Sequence, residues 1–194
     1  MVCWPKKCKF ITLPSFTLQG DLLKIVEHFK YLGCIITATL ADDCEIKKRT
    51  RGVYAMGNGV INKFKMCRPT LKVLMFKTYC YSVYCCALWA NFKLYSYQKL
   101  RVAHNDIFRN LMNVPRYHSA SELSARERTC NLDAIVRNCM YSLIRRLLNS
   151  KNTIVQAVCR SGVRVHSRMW QRWSKTLGVD WETMMVWKKL CTRS

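Results

Sequence analysis

The sequence predicts a mainly α protein in which a short N-terminal β-hairpin or set of strands precedes a helical bundle. Three observations predict it. Up to about residue 39, β-like apolar stretches are punctuated by Pro14 and by Gly20-Asp21. Beyond that point apolar residues recur at intervals of three and four, the period of an amphipathic helix. Half of the 194 residues are hydrophobic, a globular composition able to bury a core.

Taken in order, "KFITL", "SFTLQG" and "KIVEHFKYLGCII" read as two or three short strands. A first helix starts at Asp42 or Asp43, whose carboxylates suit a helix N-terminus. It runs through "CEIKKRTRGVYAMGNGVINKF", with a weak point at Gly57 and Gly59. Pro69 fits the first position of the next helix, whose stripe comprises Leu71, Leu74, Met75, Thr78, Ser82, Cys85, Cys86 and Trp89. Its end, "TYCYSVYCCALWANF", carries no charge and falls short of the ~20 apolar residues that span a bilayer, so a buried helix is expected.

A third helix, about Ser96 to Met112, aligns Leu100, Ala103, His104, Ile107, Leu111 and Met112 before Pro115 stops it. Ser119 and Glu122 form a capping box that opens a short helix. From Asn131 a further helix stacks Leu132, Ile135, Cys139, Leu143 and Leu147, with Arg145 and Arg146 near its C-terminal dipole. The last residues hold Trp170, Trp173, Trp181 and Trp187 amid Lys and Arg, with weaker helical signal broken at Gly162 and Gly178. The expected division is a β-rich segment over 1–40, a helical domain over 41–160 and a basic, Trp-rich tail over 161–194.

Charge narrows the partners. Lys and Arg number 33 against 11 Asp and Glu, a formal +22. No acid occurs between Glu45 and Asp106 or from Ala134 to Val179, while both intervals are rich in cations. Such segments suit a polyanion, because each neutralised phosphate releases condensed counterions. Nucleic acid is preferred to a merely solvated basic surface, although charge alone does not separate it from an anionic membrane.

The twelve cysteines include no C-x-x-C pair and do not combine with the four histidines at zinc-finger intervals. Most sit among apolar neighbours, as Cys80, Cys85, Cys86 and Cys139 do, which reads as small buried thiols rather than disulfides or a metal site. A reducing, intracellular location, nuclear or cytoplasmic, is expected. "MVCWPKKCKF" lacks the apolar core of a signal peptide.

Chemistry is harder to find. Asp42, Asp43 and Glu45 are the one cluster of acids, and a two-metal site needs such a cluster. Their place at the start of a basic helix favours capping over metal binding. His28, His104, His118 and His166 are scattered, and Gly57-Asn58-Gly59 lacks the Lys and Ser/Thr of a phosphate loop. No catalytic residue, metal or cofactor is expected. Tyr79, Tyr81, Tyr84, Trp89, Tyr95 and Tyr97 lie beside Lys72, Lys77, Lys93, Lys99 and Arg101, a mixture suited to phosphate contacts and stacking. Tyr79 and Trp89 are assigned to the core.

The phrase FKYLG with its β-branched pair, Phe29 to Ile36, resembles the segment just after the catalytic palm in reverse transcriptases of non-LTR (LINE-type) retrotransposons. "ADDCEIKKRTRGVYAMGNGVINKF", "LKVLMFKTYCYSVYCCALWA", "YQKLRVAHNDIFRNLMNVPR" and "SASEL" are similar to successive stretches of that family's thumb and beyond. The likeness covers about residues 1 to 160. It implies the end of a palm followed by a helical thumb-like bundle, without the palm's paired catalytic aspartates. Polymerisation by this chain alone is therefore not expected.

Phe29, Lys30, Tyr31, Leu32 and Gly33 match the stretch resembling a primer grip. Gly33 would let backbone approach a sugar-phosphate chain, Lys30 would meet a phosphate and Tyr31 would offer a packing face. The alternative for Phe29, Tyr31 and Leu32 is a strand packed on the helices. By density of charge, Lys47, Lys48, Arg49 and Arg51 are the candidate contacts to RNA, DNA or their hybrid. The resulting expectation is a non-catalytic remnant that binds nucleic-acid backbone. Its rivals are a structural or protein-interaction module using the palm-facing surface, and a truncated piece of a polymerase whose palm is encoded upstream.

Overall fold

Each of two N-terminal hairpins is closed by a pair of residues in the left-handed region. A computed structural model describes residues 15–160 and 168–178. In it β1 (Thr17–Leu18) pairs antiparallel with β2 (Asp21–Leu22) around Gln19 and Gly20. β3 (His28–Tyr31) pairs with β4 (Cys34–Thr37) around Leu32 and Gly33, at φ 44° and 80°. Two successive positive φ values give the tight turn whose twist matches its strands. Gly33 adopts it without steric cost, whereas Leu32 carries a side chain that rarely does.

"KIVEHFKYLGCII" is therefore not one strand but two, folded back at Leu32-Gly33, with Lys30 opposite Ile35 and Tyr31 opposite Cys34. "KFITL", Trp181 and Trp187 lie outside the described residues. The mainly α class holds, with two short hairpins ahead of the helices.

The helices are α1 (Asp43–Phe64), α2 (Pro69–Cys80), α3 (Leu94–Leu111), α4 (Ala120–Arg126), α5 (Leu132–Leu148), α6 (Thr153–Arg160) and α7 (Arg168–Leu177). α1 and α3 form the most extensive pair. α1 contributes Ile46, Val53 and Val60 to the core, and α3 contributes Leu100, Ala103, Ile107, Phe108 and Leu111. Gly57, expected as a weak point, is buried on that same face of α1.

The second helix departs most from expectation. It stops at Cys80, and a short 3-10 turn at Cys86–Leu88 follows Cys85, whose φ of 65° no helix accommodates. The buried face is Lys72, Phe76 and Cys80 rather than the stripe through Leu71, Leu74 and Thr78, which is exposed. Tyr79 is likewise exposed, whereas Trp89 is in the core as expected. Tyr81 shows why the helix ends there. Its hydroxyl donates to the Cys130 carbonyl at 3.0 Å and accepts from the Cys130 N–H at 2.6 Å, tying the chain to the start of α5.

Ser119 Oγ accepts from the Glu122 N–H at 3.3 Å, and Asn131 Oδ1 caps α5 through the Ala134 N–H at 2.8 Å. α5 buries Leu132, Ile135, Val136, Met140 and Ile144, so Cys139, Leu143 and Leu147 sit at the margin of its inward face. In the Trp-rich region, Trp170 of α7 joins the same core as α1, α3 and α5.

One cysteine expectation is corrected. Cys34 and Cys85 form a disulfide, because docking of the second hairpin brings β4 beside the residue that leads into the 3-10 turn. Cys80 and Cys86 are buried free thiols, and burial pushes the Cys80 thiol up to about 11. Among the described residues, no helix is long and apolar enough to cross a membrane.

Candidate nucleic-acid interface

The second hairpin is held to the first turns of α1 by a buried carboxylate. Glu45, 2% exposed, accepts the Ile35 N–H at 2.8 Å, and Arg49 donates to its other oxygen at 2.6 Å. Lys48 lies 3.6 Å from the same carboxylate and also donates to the Gly33 carbonyl, which Arg49 reaches at 3.3 Å. Arg49 further lies over the Tyr84 ring, 5.3 Å from its centre. One acid thus anchors two cations, and both cations clasp the turn.

This arrangement divides the expected contacts. Lys48 and Arg49 are half-buried and occupied, whereas Lys47 and Arg51 are exposed. A charged hydrogen bond to a buried carboxylate contributes roughly 1.5–3 kcal/mol, against at most ~1 kcal/mol for an exposed ion pair. Arg49 therefore remains with Glu45, and its role is to hold the hairpin. The spacings of three and four residues from Glu45 to Lys48 and Arg49 are the sequence signal for this pairing.

On the hairpin, Lys30 is exposed on β3, and Tyr31 and Leu32 are exposed beside a half-buried Gly33. The alternative in which Phe29, Tyr31 and Leu32 pack on the helices does not hold, since all three are at least half exposed. β4 is the strand that faces α1.

The carboxylates expected to cap α1 act elsewhere. Asp42 stands at the N-cap, yet its Oδ2 accepts the N–H groups of Ala90 and Asn91, both at 2.8 Å. Burial pushes the Asp42 carboxyl up, opposed by those two N–H groups. Asp43 Oδ1 accepts the Lys93 N–H at 3.1 Å and the Ser96 hydroxyl, so it serves the N-terminus of α3. Among the described residues, no three His, Cys, Asp or Glu side chains are grouped to hold a metal.

Sequence density missed the continuation of the exposed face. Lys47, Arg51, Tyr54, Asn58, Asn62 and Lys65 are all exposed and follow one another at helical spacing along α1, a stripe about 27 Å long. It contains no acid, and its polar and aromatic members suit backbone contacts. Of the interleaved aromatics, Tyr79, Tyr84 and Tyr95 are exposed, with Lys99 4.5 Å from the centre of the Tyr95 ring. Lys72 is turned inward.

Behind the hairpin lies a largely apolar cavity of about 790 Å³, lined in part by Leu32, Ile36, Leu40, Leu88, Trp89 and Met169. Compared with models of protein families, with curated proteins and with solved structures, the chain matches none of them.

Proposed function

We propose that this chain is a non-catalytic, thumb-like piece resembling the C-terminal part of a LINE-type reverse transcriptase, and that it binds an RNA–DNA hybrid or related duplex through its sugar-phosphate backbone. The observation that supports the reading is the acid-free stripe from Lys47 to Lys65 on the face of α1 left open by α3, beside a hairpin presenting Lys30 and Tyr31. Such a face meets phosphates without reading sequence. The Asp42 and Asp43 carboxylates accept hydrogen bonds within the fold, which supports reading them as structural acceptors. A titration of hybrid binding against salt tests the reading. Several neutralised phosphates give a steep fall in affinity with salt, and a flat dependence would rule backbone contacts out.

A second reading is favoured by a separate observation. Leu18, Leu22, Leu23, Ile25, Phe29 and Leu32, all on or beside the two hairpins, are at least half exposed. Apolar side chains so concentrated suit a protein partner. Size-exclusion chromatography separates the readings, since a clean monomer at high concentration counts against the interaction module.

A further inference from the structure

A smaller cavity, of about 200 Å³, lies between the first half of α5, the segment from Cys86 to Tyr97, and α7. Trp89, Tyr97, Asp133, Arg137 and Arg172 contribute to its lining. Among the described residues, two donors on these lining residues lack an acceptor: Nε1 of Trp89, a residue 2% exposed, and the buried Nε of Arg172. Leaving such a donor unpaired costs about 1–3 kcal/mol, so each calls for a partner.

Each neighbouring carboxylate already has one oxygen in a hydrogen bond. Asp133 Oδ1 takes the Tyr97 hydroxyl at 2.7 Å, and Oδ2 faces Arg101 at 3.8 Å. Asp42 Oδ2 is occupied by Ala90 and Asn91. The Arg172 guanidinium lies over the Phe92 ring, 3.7 Å from its centre, which fixes where it stands. Burial pushes that guanidinium down from its ordinary value, as expected of a cation short of acceptors. Arg137, an exposed residue of α5, also lines the cavity.

We propose that this cavity binds a small tetrahedral oxyanion of the phosphate class, held by the Trp89 Nε1–H and Arg172 Nε–H donors with Arg137 completing the charge. Guanidinium groups match such an ion in geometry as well as sign. Water would satisfy the indole N–H but would bring no negative charge to the buried Arg172 guanidinium. Free phosphate and the phosphate of a mononucleotide share the required chemistry. Neither Trp89, Arg137 nor Arg172 belongs to the α1 stripe, so the site stands or falls independently of the nucleic-acid reading.

The test follows the melting temperature of the full chain against potassium phosphate, and in parallel adenosine monophosphate, at ionic strength held constant with chloride. A saturable rise is expected. Trp89→Phe keeps a ring but removes the donor, and Arg172→Lys keeps the charge but removes Nε–H. Each should weaken half-saturation by about tenfold or more. Lys151→Gln, exposed between α5 and α6, should respond as wild type does.

A rise with both ligands assigns the site to the free ion, and a rise with the nucleotide alone assigns it to an attached phosphate. A wild type that responds to neither phosphate nor adenosine monophosphate beyond its response to chloride overturns the proposal. So do both variants responding as wild type. Should either variant not fold, the phosphorus resonance of phosphate with wild-type protein decides. Broadening relieved by sulfate but not by chloride supports the site, and no broadening, or relief by both salts alike, defeats it.

Discussion

Gly57 of α1 and Ile107 of α3 leave no room between them for a methyl group: a Cβ built at Gly57 would fall 2.7 Å from Ile107 Cδ1 and 2.8 Å from Cγ1. Gly57→Ala should therefore destabilise the fold by about 1–3 kcal/mol, although alanine is the better helix former by about 1 kcal/mol. Gly59, two residues on, has nothing within 4 Å of a new Cβ. Gly59→Ala should stabilise by up to about 1 kcal/mol. Urea denaturation of the two variants gives shifts of opposite sign, and shifts of the same sign would refute the close crossing.

Glu45 accepts from strand and helix at once, so its charge matters beyond its size. Glu45→Gln should cost about 2 kcal/mol, because Arg49 and Lys48 lose the carboxylate that compensates them. Hydrogen exchange at the Ile35 amide should accelerate in step. Unchanged exchange at Ile35 would mean that the hairpin is held by other means.

His104 is buried, neither ring nitrogen makes a well-formed hydrogen bond among the described residues, and its ring centre lies 5.0 Å from that of Phe76. Burial lowers its imidazole from 6.5 to about 4. Between those values the unfolded chain binds the proton and the folded one does not, so stability falls as pH falls through that window. The loss approaches about 3 kcal/mol at its acid end. His104→Phe should flatten this part of the stability profile, and an equally steep profile in the variant would assign the dependence to other groups.

The exposed and the clasped cations on α1 should behave differently in hybrid binding. Lys47→Gln and Arg51→Gln should each reduce the slope of log affinity against log salt by about one, with little change in stability. Arg49→Gln should do the reverse, lowering stability while leaving the slope nearly intact. Fluorescence anisotropy over a range of sodium chloride, paired with urea melts, checks both; a slope lowered equally at Arg49 would place its guanidinium on phosphate.

How legible the fold was depended on the kind of information each element carries. α3 and α5 could be read because their apolar residues share one face and their stops or caps, Pro115 and Asn131, are local. In the segment after Pro69 apolar residues fall on every side, so their period selects no single face, and the inward stripe was fixed by contact with α3 and by Tyr81 reaching Cys130. Asp42 and Asp43 look like caps by position, yet their acceptors face chain about fifty residues away. Density of charge singled out the first turns of α1 but could not tell Lys47 and Arg51 from Lys48 and Arg49. Only the hairpin, by docking on one side of the helix, separates them.

The Cys34–Cys85 bond converts the chain between those residues into a covalent ring that carries the whole of α1 and α2. A protease that cuts once inside that ring does not release a fragment. The two pieces travel together on a non-reducing gel and part only when thiol is added, so the size seen without reductant would conceal the cut.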